Sequence, residues 1–494
     1  MNKHTQILVI GGGPAGSTSA CLLARAGFDV TLVDREVFPR YHIGESLLPG
    51  TVDIYDLMGA REKIEKSAYP RKYGSHFDWG TEQWSIHFAD ALGKRIYGFH
   101  VDRTSFDHLL LEHARSQGVK VFEGVAIESL SFDGDRPKEA TWTQVVGGED
   151  KGNISFDYLI DASGRAGLIT TRYLKNRHYH QAFQNVAIWG YWENAKRLEN
   201  APEGAIAIIA VPDGWFWGIP LPDNKMSVGL VIHKKAFQAK RKQTPSLEQI
   251  YLEAINDSPR IADLVKPGKL ISSMRVEQDY SYAGDSFSGP GYFISGDAAC
   301  FLDPLLSTGV HLAMFSALLA SACIISVSRG EIEEEEAAAF YSESYRQTYL
   351  RLLVLVSSLY QQYRGKESYF WDAQQLTHHD YNSRDLSTAF RSIMSGQEDM
   401  KDIASAASEP ILTRVSELYA ECIKGLQIQN PGQTMAEEDR EKAQAVFKQL
   451  NAVISPSSLS PEKAVDGWYV RMRPQLGLVR ARSASCEDLA ARQL

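Results

Sequence analysis

Cysteine is scarce and unpatterned in this 494-residue chain. The five cysteines form an odd set without any C-x-x-C spacing, and they are Cys21, Cys300, Cys323, Cys422 and Cys486. The sequence therefore supports neither a disulfide framework nor a zinc site, and we expect a reducing, cytoplasmic environment. We also expect no signal peptide, because an apolar strand pattern starts almost at once, at Gln6.

An excess of basic residues is also lacking, since 52 Lys and Arg stand against 61 Asp and Glu, for a net charge of −9. This balance argues against sequence-independent nucleic-acid binding, which requires a basic surface. Clusters of metal ligands are missing as well. His378-His379-Asp380 has no further ligand at a suitable spacing, so we predict a solvated turn there and no metal site.

One apolar run, residues 310–328, is long enough to be considered as a membrane span. It contains no Lys, Arg, Asp or Glu over 19 positions. It does contain one His and four Ser, and no basic residue stands near its N-terminal end. We predict a buried core helix and no transmembrane segment.

The N-terminal residues carry a complete nucleotide-binding pattern. An apolar strand at Gln6–Ile10 runs directly into G-x-G-x-x-G and then into a helical pattern at Ser17–Ala26. A second strand, Val30–Val33, ends in Asp34. The three glycines of the pattern are Gly11, Gly13 and Gly16. Such glycines let the backbone approach a pyrophosphate, and the carboxylate can accept ribose hydroxyls, so we predict a bound dinucleotide.

Two further features near this unit have open roles. A long connection, Arg35–Pro49, contains Gly44-Glu45-Ser46 and has the length of a functional loop. Arg103 stands at the start of a helical pattern over residues 101–118. It could contact a cofactor or pair with a neighbouring carboxylate.

Between about residues 185 and 271, the sequence consists of aromatic-rich segments in which apolar and polar residues alternate. We interpret this region as an inserted β-sheet that covers the cofactor. Within it Trp215, Trp217 and Ile219 alternate, so they share one face of a strand. That face is either an ordinary sheet core or the wall of a substrate site.

The segment Phe293–Gly309 combines two possible ligand-binding elements. An apolar strand leads into Gly296-Asp297, at the carboxyl end where open α/β sheets bind ligands. Ser307-Thr308-Gly309 then precedes the apolar run, and the unpaired amides of a helix N-terminus can bind an anion. An ordinary helix cap is the alternative.

These patterns predict an α/β protein with a doubly wound dinucleotide-binding domain. The domain is expected to span residues 1–330 discontinuously, with the inserted antiparallel sheet at about 185–271. Residues 331–494 are expected to form a helical C-terminal region, whose first turn carries the acidic run Glu333–Glu336.

Two motifs give the chain a specific resemblance. Together with Asp161-Ala-Ser-Gly164, the nucleotide unit and Gly296-Asp297 resemble the para-hydroxybenzoate-hydroxylase type of FAD domain. The run Trp215-x-Trp217-x-Ile219-Pro220 and the run Phe301-x-x-Pro304-x-x-Ser307-x-Gly309 match both signatures of the flavin-dependent halogenases. Lys72, in Lys-Tyr-Gly, aligns with the lysine of that family. The chain is identified as a member of this family.

The resemblance implies an activity and its participants. Reduced FAD, supplied by a separate flavin reductase, would react with O₂ and oxidise chloride or bromide. The halide would bind the backbone at Ser307, Thr308 and Gly309, and hypochlorous acid would travel to Lys72, which hydrogen-bonds it or forms a chloramine. The tryptophan wall would keep the substrate away from the flavin. Cofactor contacts implied by the family are Gly11, Gly13, Gly16, Asp34, Glu45, Arg103, Asp297 and Val310.

The resemblance also narrows the substrate. Tryptophan halogenases have Glu-Ser-Thr-Gly at the halide site, and this chain has Leu306 instead of the glutamate. The glutamate that assists the lysine in that subgroup is therefore missing. This departure favours a phenol or pyrrole ring, bound to a carrier protein, in natural-product biosynthesis. Three alternatives remain: an aromatic monooxygenase; a prenyl reductase, whose Y-x-W-x-F-P motif differs at Trp215 and Ile219; and a flavin-binding protein without catalytic activity.

Overall fold

The computed structural model describes residues 2–79, 82–88, 96–361 and 458–481. The predicted turn at His378–Asp380 lies outside these residues. So does most of the predicted helical C-terminal region, since residues 362–457 and 482–494 are not among those described. In the described part of that region, a helix spans Glu334–Gln361, and a hairpin pairs Trp468–Arg471 with Gly477–Arg480.

The first large sheet has a parallel core that contains the N-terminal strand. In spatial order its strands are Ser288–Gly289, Tyr292–Ile294, Lys151–Asp161, His4–Ile10, Val30–Asp34 and Lys120–Glu123. An antiparallel pair, Val125–Asp133 and Arg136–Gln144, continues from the strand Lys151–Asp161. The predicted α/β class is confirmed.

Three segments that are far apart in sequence leave this sheet at one edge. In the parallel register Ile10 lies beside Asp161, and Asp161 lies beside Ile294. The residues that follow these strands therefore emerge together, because parallel strands share the direction of their carboxyl ends. The edge thus collects the glycine turn, the turn after Asp161, and Gly296-Asp297.

The second large sheet is mainly antiparallel and is wider than the predicted insertion. In spatial order its strands are Cys300–Phe301, Arg275–Gly284, Arg177–Glu193, Lys225–His233, Gly214–Pro220, Ile206–Val211, Gly74–Trp79 and Glu82–His87, with Lys269–Leu270 at the side of the third. It begins before residue 185 and ends after residue 271. The stretch 177–184 is polar, so the sequence did not show that a 17-residue strand already starts at Arg177. The strands at 74–87 belong to this sheet because they pair with a strand that is distant in sequence.

Helices cover the second sheet on the face turned away from the first sheet's core. They are Lys234–Gln243, Leu247–Asn256 and Pro259–Val265. Ile250, Tyr251 and Ile261 from these helices pack with Phe216 of the sheet in a separate hydrophobic cluster. The texture of the sequence did not reveal this helical layer.

The apolar run forms the helix Gly309–Ser328, which lies in the protein core. It packs against the helices Pro14–Arg25 and Glu334–Gln361. Its length and mean hydropathy of 2.1 would suit a membrane span, but 94% of its most apolar window is buried inside the protein. The prediction of a buried core helix is confirmed.

Shorter elements complete the described fold. The remaining helices are Gly50–Met58, Arg61–Lys66 and Arg103–Ser116, with single turns at Gly164–Ala166, Leu168–Tyr173, Gly296–Ala298, Pro304–Leu306 and Pro461–Lys463. A two-residue strand, Arg71–Lys72, pairs with Gly98–Phe99 and fixes the backbone that carries Lys72.

Candidate active site

A cavity of about 1430 Å³ extends from the glycine turn to the tryptophans of the second sheet. Both signature motifs contribute to its lining, through Trp215, Trp217 and Ile219 on one side and Ser307–Gly309 on the other. Most small-ligand pockets measure about 300–1,000 Å³, so this volume suits a cofactor as large as a dinucleotide together with a substrate.

The glycine turn is held by close backbone contacts. Gly11 has φ +104°, and a Cβ placed on it would lie 2.2 Å from the carbonyl oxygen of Ala162. A Cβ on Gly16 would lie 1.8 Å from the oxygen of Gly11. The helix Pro14–Arg25 starts directly after Gly13, with no side-chain cap on its first amides. Such a helix start can bind a pyrophosphate.

Asp34 is largely buried beside this turn and lines the cavity. Its Oδ2 accepts the amide of Gly12 at 2.6 Å, and its Oδ1 accepts the amide of Glu36 at 2.8 Å. Each carboxylate oxygen retains a further lone pair that could accept a ribose hydroxyl. The ribose contact itself stays a prediction.

Arg103 pairs with a carboxylate, which is one of the two roles that the sequence left open. A contact with the cofactor stays a prediction. The Nε and Nη2 of Arg103 donate to the two oxygens of Asp107 at 2.7 and 2.8 Å, and its Nη1 donates to the carbonyls of Ile43 and Gly44 at 2.7 and 3.2 Å. The guanidinium therefore anchors the connection Arg35–Pro49. It also lines the cavity.

Asp297 lines the cavity at the shared edge of the first sheet. Burial raises the pKa of its carboxyl group, while the positive charges of Arg165, Arg103 and Arg177 oppose that rise. The carbonyl oxygen of Asp297 accepts the hydroxyl of Tyr282 at 2.7 Å. The contact of its carboxylate with a cofactor stays a prediction.

The turn before the apolar helix leaves backbone amides and open space beside the cavity. Ser307 has φ +57°, and the first hydrogen bond into the helix runs from the Leu312 amide to the Thr308 carbonyl. The amides of Thr308 and Gly309 consequently have no partner within the helix, whereas the Ser307 amide donates to the Pro304 carbonyl at 2.9 Å. A Cβ added to Gly309 would meet no atom within 4 Å, and the buried Thr308 hydroxyl lacks a partner among the described residues.

The tryptophan wall follows the alternation of its strand. Trp215, Trp217 and Ile219 face the cavity, whereas Phe216 between them packs in the separate cluster under the helices. Trp189, from the strand Arg177–Glu193, adds a third indole to this wall. The ring centroids of Trp217 lie 6.1 Å from Trp215 and 6.2 Å from Trp189.

Each indole of the wall donates its N–H to a side-chain oxygen. The acceptors are the hydroxyls of Tyr360 for Trp215 at 2.7 Å, of Ser227 for Trp217 at 3.1 Å, and of Tyr41 for Trp189 at 2.8 Å. These bonds fix the orientations of the rings, because a buried indole N–H without a partner is costly.

Lys72 is buried and contacts a side chain that lines the cavity. Its Nζ donates to the Ser46 hydroxyl at 2.9 Å and lies 5.7 Å from the ring centroid of Phe88. Ser46 lines the cavity. Burial lowers the pKa of the Lys72 amine from its usual value to about 7. Near neutral pH the amine is therefore present both as a cation and as a free base.

His100 lies close enough to Lys72 for the lysine charge to act on it. Its Nε2 donates to the carbonyl of Gly204 at 2.7 Å, so the neutral ring presents Nδ1 as an acceptor. That Nδ1 has no partner among the described residues. Burial and the Lys72 charge lower the pKa of His100 to about 3, so the ring stays neutral.

Glu45 places a second titratable group on the cavity. Its Oε1 accepts the Tyr191 hydroxyl at 2.7 Å. Burial raises the pKa of Glu45 to about 7. Its Oε2 has no partner in the described part of the chain.

Comparison with known proteins decides which family this arrangement belongs to. The sequence matches the family described as tryptophan halogenase over residues 6–96 and 89–406. The chain belongs to the flavin-dependent halogenases. Tryptophan 2-halogenase of Chondromyces crocatus is 44% identical over 496 residues, which cover 97% of this chain and 94% of that protein. Sulochrin halogenase of Aspergillus terreus is 34% identical, with 97% and 94% covered.

Solved structures of flavin-dependent halogenases share the fold of this halogenase. The flavin-dependent halogenase CmlS superimposes with a TM-score of 0.74 at 30% identity, over 90% of this chain and 77% of that one. The myxobacterial chondrochloren halogenase CndH gives a TM-score of 0.71 at 33% identity, over 84% and 97%. The monooxygenase and prenyl-reductase alternatives are therefore set aside.

As a flavin-dependent halogenase, the protein is an oxidoreductase that uses FADH₂, O₂ and a halide. The residues present fit FAD. A side chain at Gly11 would strike backbone, the open space at Gly309 would admit a ring system, and the cavity joins the two glycines. Gly11, Gly13, Asp34 and the connection Arg35–Pro49 would hold the nucleotide part. Asp297 and Val310 would lie beside the part nearer the tryptophans.

Not every predicted residue of the halogenase site lines the cavity. Gly16 lies beneath the glycine turn, Pro220 is buried at the end of its strand, and Lys72 is separated from the cavity by Ser46. Sequence reasoning missed the contribution of Trp189, although Ala187 and Trp189 alternate toward the cavity as the wall residues do.

Proposed function

We propose that this halogenase chlorinates an activated carbon of an electron-rich aromatic ring, with Lys72 delivering the oxidised halogen. The observation that carries the proposal is a buried amine, with a pKa of about 7, whose hydrogen-bond partner Ser46 lines the cavity. When bound, reduced FAD supplies with O₂ the two-electron oxidation that converts chloride into hypochlorous acid.

The turn at Ser307–Gly309 supports a halide site built from backbone. The amides of Thr308 and Gly309, at the start of the helix Gly309–Ser328, offer donors without any nearby lysine or arginine being required. The Ser307 amide already donates to the Pro304 carbonyl at 2.9 Å. A backbone site of this kind binds a small anion through its charge and size. Chloride is proposed on that basis, with bromide as the alternative halide.

Lys72 can act on hypochlorous acid in either of its protonation states. The cation donates a hydrogen bond that makes the chlorine more electrophilic, and the free amine can take the chlorine to form a chloramine with release of water. The ring then gains chlorine and loses a proton, so that the arene and hypochlorous acid become the chloroarene and water. Glu45, whose pKa is raised to about 7, is a nearby group that can hold a proton.

The tryptophan wall supports separation of the substrate from the flavin. Trp189, Trp215 and Trp217 line one side of the cavity, and each ring is fixed by its N–H bond. Rigid aromatic surfaces can also hold a planar ring in one orientation.

A phenol or pyrrole ring is the proposed substrate class. The only hydrogen bond of the Lys72 amine within the described residues is to Ser46, and Leu306 occupies the position of the assisting glutamate. Activation of the ring must then come from the substrate itself. Attachment of that substrate to a carrier protein, and delivery of reduced flavin by a separate reductase, complete the proposal. The exposed residues Arg473 and Arg480 offer a basic face for such a carrier.

An indole is the second candidate, and a specific observation favours it. The relative at 44% identity is named for position 2 of tryptophan. Carbon 2 belongs to the five-membered, pyrrole-like ring of indole and is activated by the ring nitrogen. Both candidates thus share one chemical requirement, a carbon that the substrate's own heteroatom activates.

Competition between substrates tests the proposal. The purified protein, a flavin reductase, FAD, O₂ and chloride would be incubated separately with free tryptophan, a free phenol, free pyrrole-2-carboxylate, and the last two as carrier-bound thioesters. Chlorination of a phenol or pyrrole form is expected. Chlorination of tryptophan alone would select the second candidate, and chlorination of none would reject both.

A further inference from the structure

Asp303 is a fully buried carboxylate four residues before Ser307–Gly309, the halide turn. It lies between Phe301 and Pro304 of the second signature but is not one of its fixed letters. Its Oδ1 accepts the amide of Leu305 at 3.0 Å, which shapes the turn leading to the halide amides. Its Oδ2 accepts the side-chain amide of Asn185 at 2.9 Å, from the long strand of the second sheet.

No lysine or arginine of the described residues forms an ion pair with Asp303. Burial raises the pKa of its carboxyl group to about 6, while its hydrogen bonds to Leu305, Asn185 and Tyr360 oppose the rise. A buried carboxylate without a cation is expensive unless its donors are well placed. An apolar residue would fill this space at a lower cost in free energy, so packing alone does not account for a carboxylate here.

Tyr360 connects this carboxylate to the tryptophan wall. Its hydroxyl donates to the Oδ1 of Asp303 at 3.0 Å and accepts the indole N–H of Trp215 at 2.7 Å. Tyr360 lies in the last turn of the helix Glu334–Gln361, outside both signature motifs. Trp79 fixes that turn, because its indole N–H donates to the Leu359 carbonyl at 2.9 Å.

We propose that Asp303 and Tyr360 are positioning residues that couple the halide turn to the orientation of Trp215. The halide turn and the wall then keep one relative geometry, so the oxidised halogen formed at the turn passes to the substrate rather than to water. This inference rests on the proposed function. It gives the helix Glu334–Gln361 a direct part in the active site, since this helix supplies Tyr360.

Removal of one hydroxyl tests the coupling, with a matched control in the same protein. Tyr360→Phe breaks the chain between Asp303 and Trp215. Tyr251→Phe removes an equally buried hydroxyl that accepts the Trp192 indole N–H at 2.9 Å and donates to the Val228 carbonyl at 2.9 Å. Tyr251 lies in the separate cluster under the helices, so its loss perturbs folding but not the halide turn.

The measurement is the chlorinated product formed per O₂ consumed, together with free hypochlorous acid trapped by monochlorodimedone. Tyr360→Phe is expected to lower the product per O₂ about fivefold to tenfold and to raise trapped hypochlorous acid, as befits the loss of a buried hydroxyl that makes two hydrogen bonds. Tyr251→Phe should change both by less than about twofold. An unchanged ratio in a folded Tyr360→Phe variant would overturn the inference.

A second readout needs neither flavin nor substrate. In protein labelled with ¹⁵N-tryptophan, the Trp215 indole N–H signal is assigned by its absence from Trp215→Phe. That signal should shift in Tyr360→Phe and in Asp303→Asn, and stay in place in Tyr251→Phe. If Tyr360→Phe fails to fold, Asp303→Asn gives the same test, and an unshifted Trp215 signal there would overturn the coupling.

Combining variants separates this inference from the proposed function. Tyr360→Phe and Trp215→Phe interrupt the same series of hydrogen bonds. The double variant should therefore lower the product per O₂ no further than the more damaging single variant does. If the two losses in product per O₂ multiplied instead, the two residues would act independently and the inference would be contradicted. If the unaltered protein releases hypochlorous acid that monochlorodimedone traps, but chlorinates none of the test rings, the substrate proposal fails. The trapped acid and the indole signal then still report on the coupling between the halide turn and Trp215.

Discussion

The two ends of the cavity are built by different means. At the nucleotide end, the glycine turn works through backbone: Gly11 must have no side chain because the Ala162 carbonyl lies against it, and Asp34 is held by backbone amides. At the tryptophan end, side chains hold side chains, as Tyr360 holds Trp215. The first end depends on main-chain geometry at the place where parallel strands end. The second depends on which distant elements the fold brings into contact.

The difference has a consequence for how each end can be damaged. Backbone sites tolerate few changes at the glycines themselves, since a new Cβ must displace main chain. Side-chain sites tolerate changes that preserve the hydrogen-bond partner. Substitutions at the two ends should therefore separate loss of folding from loss of chemistry.

The largest effect is expected from Lys72→Ala, at the side-chain end. Aryl chlorination should fall by at least about 10²–10⁴-fold, as is typical when a proton-transfer or relay group is removed. Reduced flavin should still be consumed by O₂, because the halide turn is untouched. Product formation by chromatography and O₂ uptake measure the two processes.

Two controls sharpen the Lys72 result. Lys72→Met keeps most of the side-chain volume in the buried site and should be equally inactive. Lys196→Ala removes a half-exposed lysine that pairs with Asp263 at 2.7 Å and should keep full activity. A Lys72→Ala protein that retained most of its chlorinating rate would disprove the assigned role.

The next effect contrasts two glycines. Gly309→Val places methyl groups in open space beside the halide turn and should abolish halide use while leaving the melting temperature nearly unchanged. Gly11→Ala forces a Cβ against the Ala162 carbonyl at φ +104°, so it should destabilise the fold by more than about 1 kcal/mol. Thermal unfolding and chloride-dependent turnover are measured for both. Equal chloride dependence in Gly309→Val and the unaltered protein would refute the halide placement.

A smaller effect concerns pH and distinguishes two roles of Lys72. With its pKa lowered to about 7, the amine becomes neutral as pH rises through that value. The single-turnover rate of ring chlorination should rise with pH if the free amine carries chlorine, and fall if the cation donates a hydrogen bond. A rate flat from pH 6 to pH 8 would contradict both roles.

Glu45 needs a control in that experiment, because burial raises its pKa to about 7 as well. The pH profile should therefore be repeated with Glu45→Gln. A midpoint that persists in this variant belongs to Lys72, and one that disappears belongs to the carboxyl group.

The smallest effect is expected from Ser307→Ala. If the halide is held by backbone amides, loss of this hydroxyl should raise the chloride KM only about twofold to fivefold. The backbone at Ser307 has φ +57°, so Ser307→Gly serves as a control that relaxes the turn. A loss as large as that of Gly309→Val would mean that the hydroxyl, and not the backbone, binds the halide.

Local patterns allowed much of the nucleotide end to be predicted. The strand–glycine turn–helix unit, Asp34 and the buried helix after Gly309 depend on short-range spacing and periodicity, and the structure contains them where the sequence indicated. The shared face of Trp215, Trp217 and Ile219 follows in the same way from the two-residue period of a strand. The expected limits of the inserted sheet, 185–271, were too narrow because strand pairing at 74–87 is not a local property.

Tertiary structure alone decided the contacts that complete the candidate site. Lys72 meets Ser46 across 26 positions and Trp215 meets Tyr360 across 145 positions. Neither pair has a spacing that a helix or strand repeats. Burial likewise set the pKa of Lys72 near 7, since desolvation depends on every element packed around the amine. The sequence by itself therefore determined the cofactor class and the residues on each face, and the packing of distant elements decided which side chains act together.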